Sequence, residues 1–149
     1  MRALLWIGLA SLAIGSSAGA NGLVNLSARG VAGPGSDALT AGFVVAGDAP
    51  KRVLVRGAGP ALASLGVADA LAQVRLEIFR DATALAANTG WDTGSDANAL
   101  AQAARAAGAF DFAAASKDAA LLLVLEPGSY RAGSSRDGQC RRGGAGGNL

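Results

Sequence analysis

The feature that most constrains the fold is a series of short apolar segments, separated by Gly, Pro and Asp about every 10 to 20 positions. The clearest is Val74–Arg80, where Val74, Leu76 and Ile78 alternate with Arg75, Glu77 and Phe79. The segments that predict strands are Leu23–Ser27, Leu39–Ala46, Arg52–Arg56, Val74–Arg80, Thr83–Ala87 and Ala119–Leu125, with a further strand opening at Tyr130. This pattern predicts a mainly β protein, an antiparallel β-sandwich of jelly-roll or Ig-like type with one or two short helices.

Two segments favour helix instead. Asp96–Gly108 is rich in alanine, begins at an aspartate that can cap a helix and ends at a glycine. After Pro60, Leu62 and Leu65 are spaced for a single helical turn that Gly66 stops.

The N-terminus has the pattern of a secretory signal peptide, predicted to span residues 1–20. Arg2 supplies a positive charge, an uncharged run of 13 residues follows, and Ala18-Gly19-Ala20 fits the small residues that signal peptidase requires. A membrane anchor is the alternative, but the run is short of the roughly 20 residues that span a bilayer as a helix. We therefore expect cleavage after Ala20, export to the periplasm, cell surface or medium, and no membrane association afterwards.

The C-terminal residues 131–149 are rich in arginine and glycine, and a disordered tail is expected there. The whole chain has a net charge of +2. Without Arg2 and this tail, residues 21–130 hold eight basic and ten acidic residues, a net charge of −2. A domain that binds nucleic acid needs a basic face, so we expect no nucleic-acid partner. Residues 21–130 are expected to form one domain.

The chain contains no histidine, and its single cysteine, Cys140, lies in the tail. Histidine-based triads and histidine-containing zinc sites are thereby excluded, and no internal disulfide can form. The carboxylates are scattered, and no spacing pairs two of them for glycoside hydrolysis. We predict no catalytic residues and no enzyme activity.

Several motifs taken together resemble a domain that recurs in exported and surface proteins of bacteria. The matching segments are N-L-S-A-R-G (25–30), A-G-F-V-V-A-G (41–47), K-R-V-L-V-R-G-A-G-P-A-L (51–62), S-K-D-A-A-L-L-L-V-L-E-P-G-S-Y (116–130) and the isolated Trp91. The resemblance covers residues 23–130 and implies an all-β sandwich module with no known enzymatic activity or ligand, often attached to larger surface proteins.

In that domain the P-G-x-Y motif leads into a strand, a glycine-rich turn and a closing strand, and neither strand is evident here. A shift of one base would turn residues 144–149 into a sequence close to the expected ending. We therefore hypothesise that the tail is a frameshifted product and the domain is truncated, with a strand edge left unpaired.

The R-G-A-G-P segment after Arg52–Val55 is similar to the start of a dinucleotide site. Leu62 stands where the third glycine belongs, and Pro60 removes a backbone N–H that a phosphate would need. A tight turn is the better interpretation.

The candidate ligand-binding residues are Trp91, Asp92, Asp96 and Asn98. Their oxygens could hold calcium, although the spacing is not that of an EF-hand and Asp96 could simply cap the helix. Trp91 could stack on a sugar ring, although a lone tryptophan in a small β domain more often fills the core. No cofactor is expected apart from this calcium alternative, and no metal ligand is assigned.

The sequence therefore predicts a non-enzymatic exported module that binds a glycan or a partner protein. The alternative is an accessory or fragmentary domain of a secreted hydrolase. A third hypothesis is that the truncated chain has no function.

Overall fold

The computed structural model describes residues 3–11, 25–32, 38–94 and 96–135. These residues form eight strands and two helices. In chain order they are β1 (Ala3–Ser11), β2 (Asn25–Ala32), β3 (Leu39–Val45), β4 (Lys51–Ala58), α1 (Pro60–Ser64), β5 (Arg75–Arg80), β6 (Thr83–Asn88), α2 (Ala97–Ala106), β7 (Ala119–Leu125) and β8 (Gly128–Ser135).

The strands make two four-stranded sheets. Sheet A has the order β2-β1-β4-β7, and sheet B has the order β3-β8-β5-β6. Every pair of neighbouring strands in both sheets is antiparallel. The prediction of a mainly β, antiparallel fold with two short helices is confirmed.

Two apolar cores lie on opposite faces of sheet A. The inter-sheet core joins the sheets through buried residues that include Val53 and Val55 of β4, Leu76 and Ile78 of β5, and Ala132 of β8. Because side chains alternate along a strand, the remaining residues of β4 point the other way.

The helix-side core covers that other face. Leu54 and Ala58 of β4 pack there with Leu100 of α2, Phe112 and Ala120. β4 and β7 are therefore covered on both faces, which explains why both are apolar at consecutive positions instead of alternating.

Both predicted helices form. α2 ends at Ala106, and Gly108 follows in the left-handed region with φ +68°, as expected for a glycine that stops a helix. α1 is one short turn, and Gly66 after it has φ +82°.

The structure corrects the end of the last strand. Disorder was expected from Arg131 onwards, but β8 continues to Ser135 and lies between β3 and β5. Strands on both sides pair with Ala132–Ser134, and Ser135 pairs with Arg75 of β5. The small side chains of these residues are buried, so low hydrophobicity does not prevent order here. The rest of the predicted tail, residues 136–149, lies outside the described residues.

The predicted signal peptide overlaps a strand. β1 consists of residues 3–11 of that segment and pairs with both β2 and β4. Cleavage after Ala20 stays a prediction, and residues 12–20 lie outside the described part of the chain. Neither described helix has the length and apolar character needed to cross a membrane.

Candidate functional site

Among the described residues, Asp118 is a fully buried acid, with 0% of its surface exposed, and it makes several hydrogen bonds. Its carboxylate accepts hydrogen bonds from the backbone N–H of Gly59 at 2.7 Å and of Ala61 at 3.2 Å. The Ser116 hydroxyl donates a third, at 2.8 Å. A buried carboxylate is costly unless it is hydrogen-bonded in this way. Asp118 thus ties the start of β7 to the turn between β4 and α1.

The backbone around Asp118 extends this connection. The carbonyl of Asp118 accepts the N–H of Trp91 at 2.9 Å, and the carbonyl of Lys117 accepts the N–H of Val74, also at 2.9 Å. Four separate chain segments therefore meet at Asp118.

The glycines of R-G-A-G-P are required by close packing. A Cβ on Gly59 would lie 2.6 Å from the backbone oxygen of Leu71 and 2.7 Å from Val74 Cγ2. A Cβ on Gly57 would lie 2.7 Å from Val74 Cγ1. The two glycines let the turn approach the segment before β5, which explains the motif without a ligand.

This geometry also explains the similarity to a dinucleotide motif. In such motifs the backbone N–H groups of the loop bind a phosphate. Here the N–H groups of Gly59 and Ala61 donate to the chain's own Asp118. The predicted tight turn is confirmed. The carboxylate of Asp118 occupies the place that a phosphate takes in a dinucleotide site.

A buried cation lies beside this turn. Arg56 on β4 is only 4% exposed, and its guanidinium stands 3.9 Å from the centre of the Phe112 ring and 4.8 Å from that of Phe110. It also donates a hydrogen bond to the carbonyl of Phe110. Cation–π contacts of this kind strengthen when the cation is removed from water.

Burial lowers the pKa of Arg56 to about 10, while the charges of Asp118 and then Asp111 act to raise it. Arg56 therefore remains charged at neutral pH. Its contacts with the two rings fix the loop before β7 against sheet A, which is a structural task.

Trp91 lies in the wall of the helix-side core. The residue is half-buried, its ring is 6.3 Å from that of Phe112, and its indole N–H donates to the carbonyl of Ala113 at 2.9 Å. Core packing, the simpler of the two interpretations of this tryptophan, accounts for these contacts.

The other candidate ligand residues follow Trp91 but do not converge on one point. Asp92 accepts a hydrogen bond from the N–H of Ala115 at 2.6 Å. Asp96 is exposed at the N-cap position of α2, where its carbonyl accepts the N–H of Leu100, but its side chain makes no capping hydrogen bond. Asn98 is exposed in the first turn of α2.

The calcium alternative gains no geometric support. Among the described residues no three Asp, Glu, His or Cys side chains are grouped so that they could hold a metal ion. The carboxylate of Asp92 is directed to Ala115, which has a positive φ of 56°, and it holds that strained turn in place.

Two buried carboxylates make internal contacts in place of a catalytic pair. Glu77 on β5 forms an ion pair with Arg75 at 2.9 Å. Asp118 accepts hydrogen bonds from the turn after β4 and from the Ser116 hydroxyl.

The sequence contained signals for Asp118 and Arg56 that pattern analysis missed. Arg56 directly follows the apolar residues Val53–Val55 of β4, and Asp118 directly precedes a fully apolar strand. Charged residues at the borders of buried strands normally indicate exposed ends. Only the tertiary contact between the two segments, 57 to 59 positions apart, shows that they are internal.

Comparisons with protein-family models, curated proteins and solved structures find no match for this chain.

Proposed function

We propose that this chain is an exported, non-enzymatic surface module that binds a glycan or a partner protein. The leader pattern of residues 1–20 supports export. The surface and bacterial context rests on the resemblance of residues 23–130 to a domain of exported bacterial proteins.

The observation that carries the proposal is that the buried charged side chains of Asp118 and Arg56 contact other parts of the same chain. Asp118 holds the turn at Gly59, and Arg56 holds the loop at Phe110 and Phe112. Because these two charged groups are held by internal contacts, we expect a ligand to bind to other residues, at the surface.

The surface that best suits a ligand is the segment from Trp91 to Asn98. It presents an aromatic side chain that is partly open, followed by an exposed carboxylate at Asp96 and an exposed amide at Asn98. Aromatic and polar side chains are the groups that sugars and peptide segments contact, and here they follow one another along one segment of the chain.

The experiment applies the purified chain to an array of bacterial and plant polysaccharides and to extracts of surface proteins, together with a panel of hydrolase assays. Asn98→Ala should weaken binding to a glycan hit about 3- to 10-fold, the loss of one hydrogen bond. Gln102→Ala, also exposed on α2, is the matched control and should leave binding unchanged. Turnover of any substrate that one carboxylate substitution abolishes would replace this proposal with the hydrolase alternative.

A further inference from the structure

β1 is an inner strand of sheet A although it belongs to the segment expected to be removed on export. It pairs with β2 from Ala3 to Ala10 and with β4 from Trp6 to Ser11. Among the described strands, β2 has no other neighbour in sheet A. With β1 in place, the axes of β2 and β4 are two strand spacings apart, about 9–10 Å. Loss of residues 3–11 therefore leaves the facing edges of β2 and β4 unpaired.

The neighbouring strand β4 restricts which side chains a strand in this position can carry. The β4 residues from Val53 to Ala58 are all buried, on one face by the inter-sheet core and on the other by the helix-side core. Because this edge of β4 is buried, an uncharged strand is favoured beside it, whereas β2 on the other side is mostly exposed. The segment Ala3–Ser11, A-L-L-W-I-G-L-A-S, carries no charged side chain.

The register adds a further restriction. Gly8 is the residue opposite Arg56 on β4. Arg56 points towards the aromatic rings of the helix-side core, and a small residue at the opposite position leaves that space to the guanidinium.

We propose that removal of the leader opens a strand-accepting groove between β2 and β4, and that a partner protein fills it with an extended, uncharged strand in the position of β1. This inference rests on the proposed function, since it assumes export and a protein partner. Strand addition suits such a groove, because the main-chain groups of β2 and β4 supply hydrogen bonds to any sequence and the buried edge of β4 favours uncharged side chains.

The register is tested first in the intact chain, with Cys140→Ser as background. Leu9→Cys with Val55→Cys places the two thiols at opposed positions and should give a disulfide on mild oxidation. Leu9→Cys with Leu54→Cys directs the thiols to different faces and is the control. Equal cross-linking of both pairs, or of neither, would contradict the position of β1.

Whether another strand can replace β1 is tested with a protease site inserted between Ser17 and Ala18 of the full chain. After cutting, a fluorescent peptide of residues 1–11 with a lysine tag is added, and its anisotropy is followed. We expect one peptide to bind per cut chain, with at least tenfold weaker binding to the uncut chain. The same peptide with Gly8→Pro or Ile7→Lys should also bind at least tenfold more weakly.

The outcomes separate this inference from the proposed function. Equal binding of the peptide to cut and uncut chains, or no binding to the cut chain, overturns the groove. A glycan or protein partner that binds cut and uncut chains equally supports the proposed function without the groove. Peptide exchange without any glycan or protein hit supports the groove and leaves the proposed function without support.

Discussion

At the scale of single residues, Asp118 joins segments that are far apart in the sequence. One carboxylate satisfies the N–H of Gly59 in the buried interior, the partly buried N–H of Ala61 and the hydroxyl of Ser116. Removing the acceptor leaves the buried N–H of Gly59 without a partner, which costs more than the hydrogen bond itself contributes.

We therefore expect Asp118→Ala to lower the free energy of unfolding by about 3–5 kcal/mol. Asp118→Asn keeps one acceptor oxygen and should cost about 1–2 kcal/mol. Urea denaturation followed by circular dichroism measures both. The control is Asp111→Asn, whose ion pair with Arg105 is exposed and should contribute less than about 1 kcal/mol. Equal losses for Asp118→Ala and Asp111→Asn would show that Asp118 does not support the turn.

Gly59 provides a second prediction at this scale. A Cβ there meets the backbone oxygen of Leu71 at 2.6 Å, and a backbone atom cannot move aside as a flexible side chain can. Gly59→Ala should destabilise the fold by about 1–3 kcal/mol.

Gly94→Ala is the matched control, because a Cβ at Gly94 meets nothing within 4 Å. Its stability should be unchanged or raised by up to about 1 kcal/mol, through the reduced freedom of the unfolded chain. Thermal melting of the two variants under identical conditions compares them. A Gly59→Ala variant as stable as Gly94→Ala would rule out the close approach of the turn to Leu71.

At the scale of elements, the strands from β3 to β7 could be predicted because turn residues separate them and their apolar segments are short. β1 was not predicted, because its residues have the pattern of a signal peptide. Ala119–Leu125 was predicted with its bounds unchanged, and Val74–Arg80 differs from β5 by one residue. β8 could not be predicted beyond Tyr130, since Ala132, Gly133 and Ser134 have little strand preference of their own. Their order comes from pairing with β3 and β5, which is a tertiary effect.

The candidate site was less predictable than the strands. The sequence favoured Trp91 and the polar residues after it, because aromatic and carboxylate side chains in a loop are typical of ligand sites. Asp118 and Arg56 were not singled out, because their environment depends on segments that lie far apart in the sequence. Periodicity reports which face of an element is apolar, but it does not report which distant group a charged residue meets.

β7 is an apolar edge strand that is open to unwanted pairing. It is the last strand of sheet A, and Val124 on it is 69% exposed. A long apolar edge strand is a site of aggregation unless a charge interrupts it. Val124→Lys should reduce aggregation while changing the free energy of unfolding by less than about 0.5 kcal/mol.

Leu125→Lys tests the same strand on its other face. Leu125 is buried in the inter-sheet core, so an ammonium group there should cost several kcal/mol and increase aggregation. Light scattering at fixed concentration, together with urea denaturation, distinguishes the two variants. If Val124→Lys aggregates as fast as the unchanged chain, the edge of β7 is not the surface through which molecules associate.

At the scale of the whole molecule, the two cores share the strands that separate them. Leu54 and Val55 are consecutive residues of β4, yet Leu54 belongs to the helix-side core and Val55 to the inter-sheet core. Because one backbone carries both, neither core can lose its packing without disturbing the other. We expect the described fold to unfold in a single cooperative transition.

Trp91 and Tyr130 are spectroscopic probes of the two cores. The substitution Trp6→Phe first removes the other tryptophan, so that fluorescence comes from Trp91. Trp91 reports on the helix-side core by fluorescence, and the single tyrosine, Tyr130, reports on the inter-sheet core by its ring-proton NMR signals. Both probes should give the same urea midpoint. Leu54→Ala and Val55→Ala should each lower stability by about 2–4 kcal/mol and shift both midpoints together. A variant that shifts the midpoint of Trp91 while that of Tyr130 stays in place would mean that the helical layer unfolds independently of the sheets. The shared backbone of β4 would then not couple the two cores.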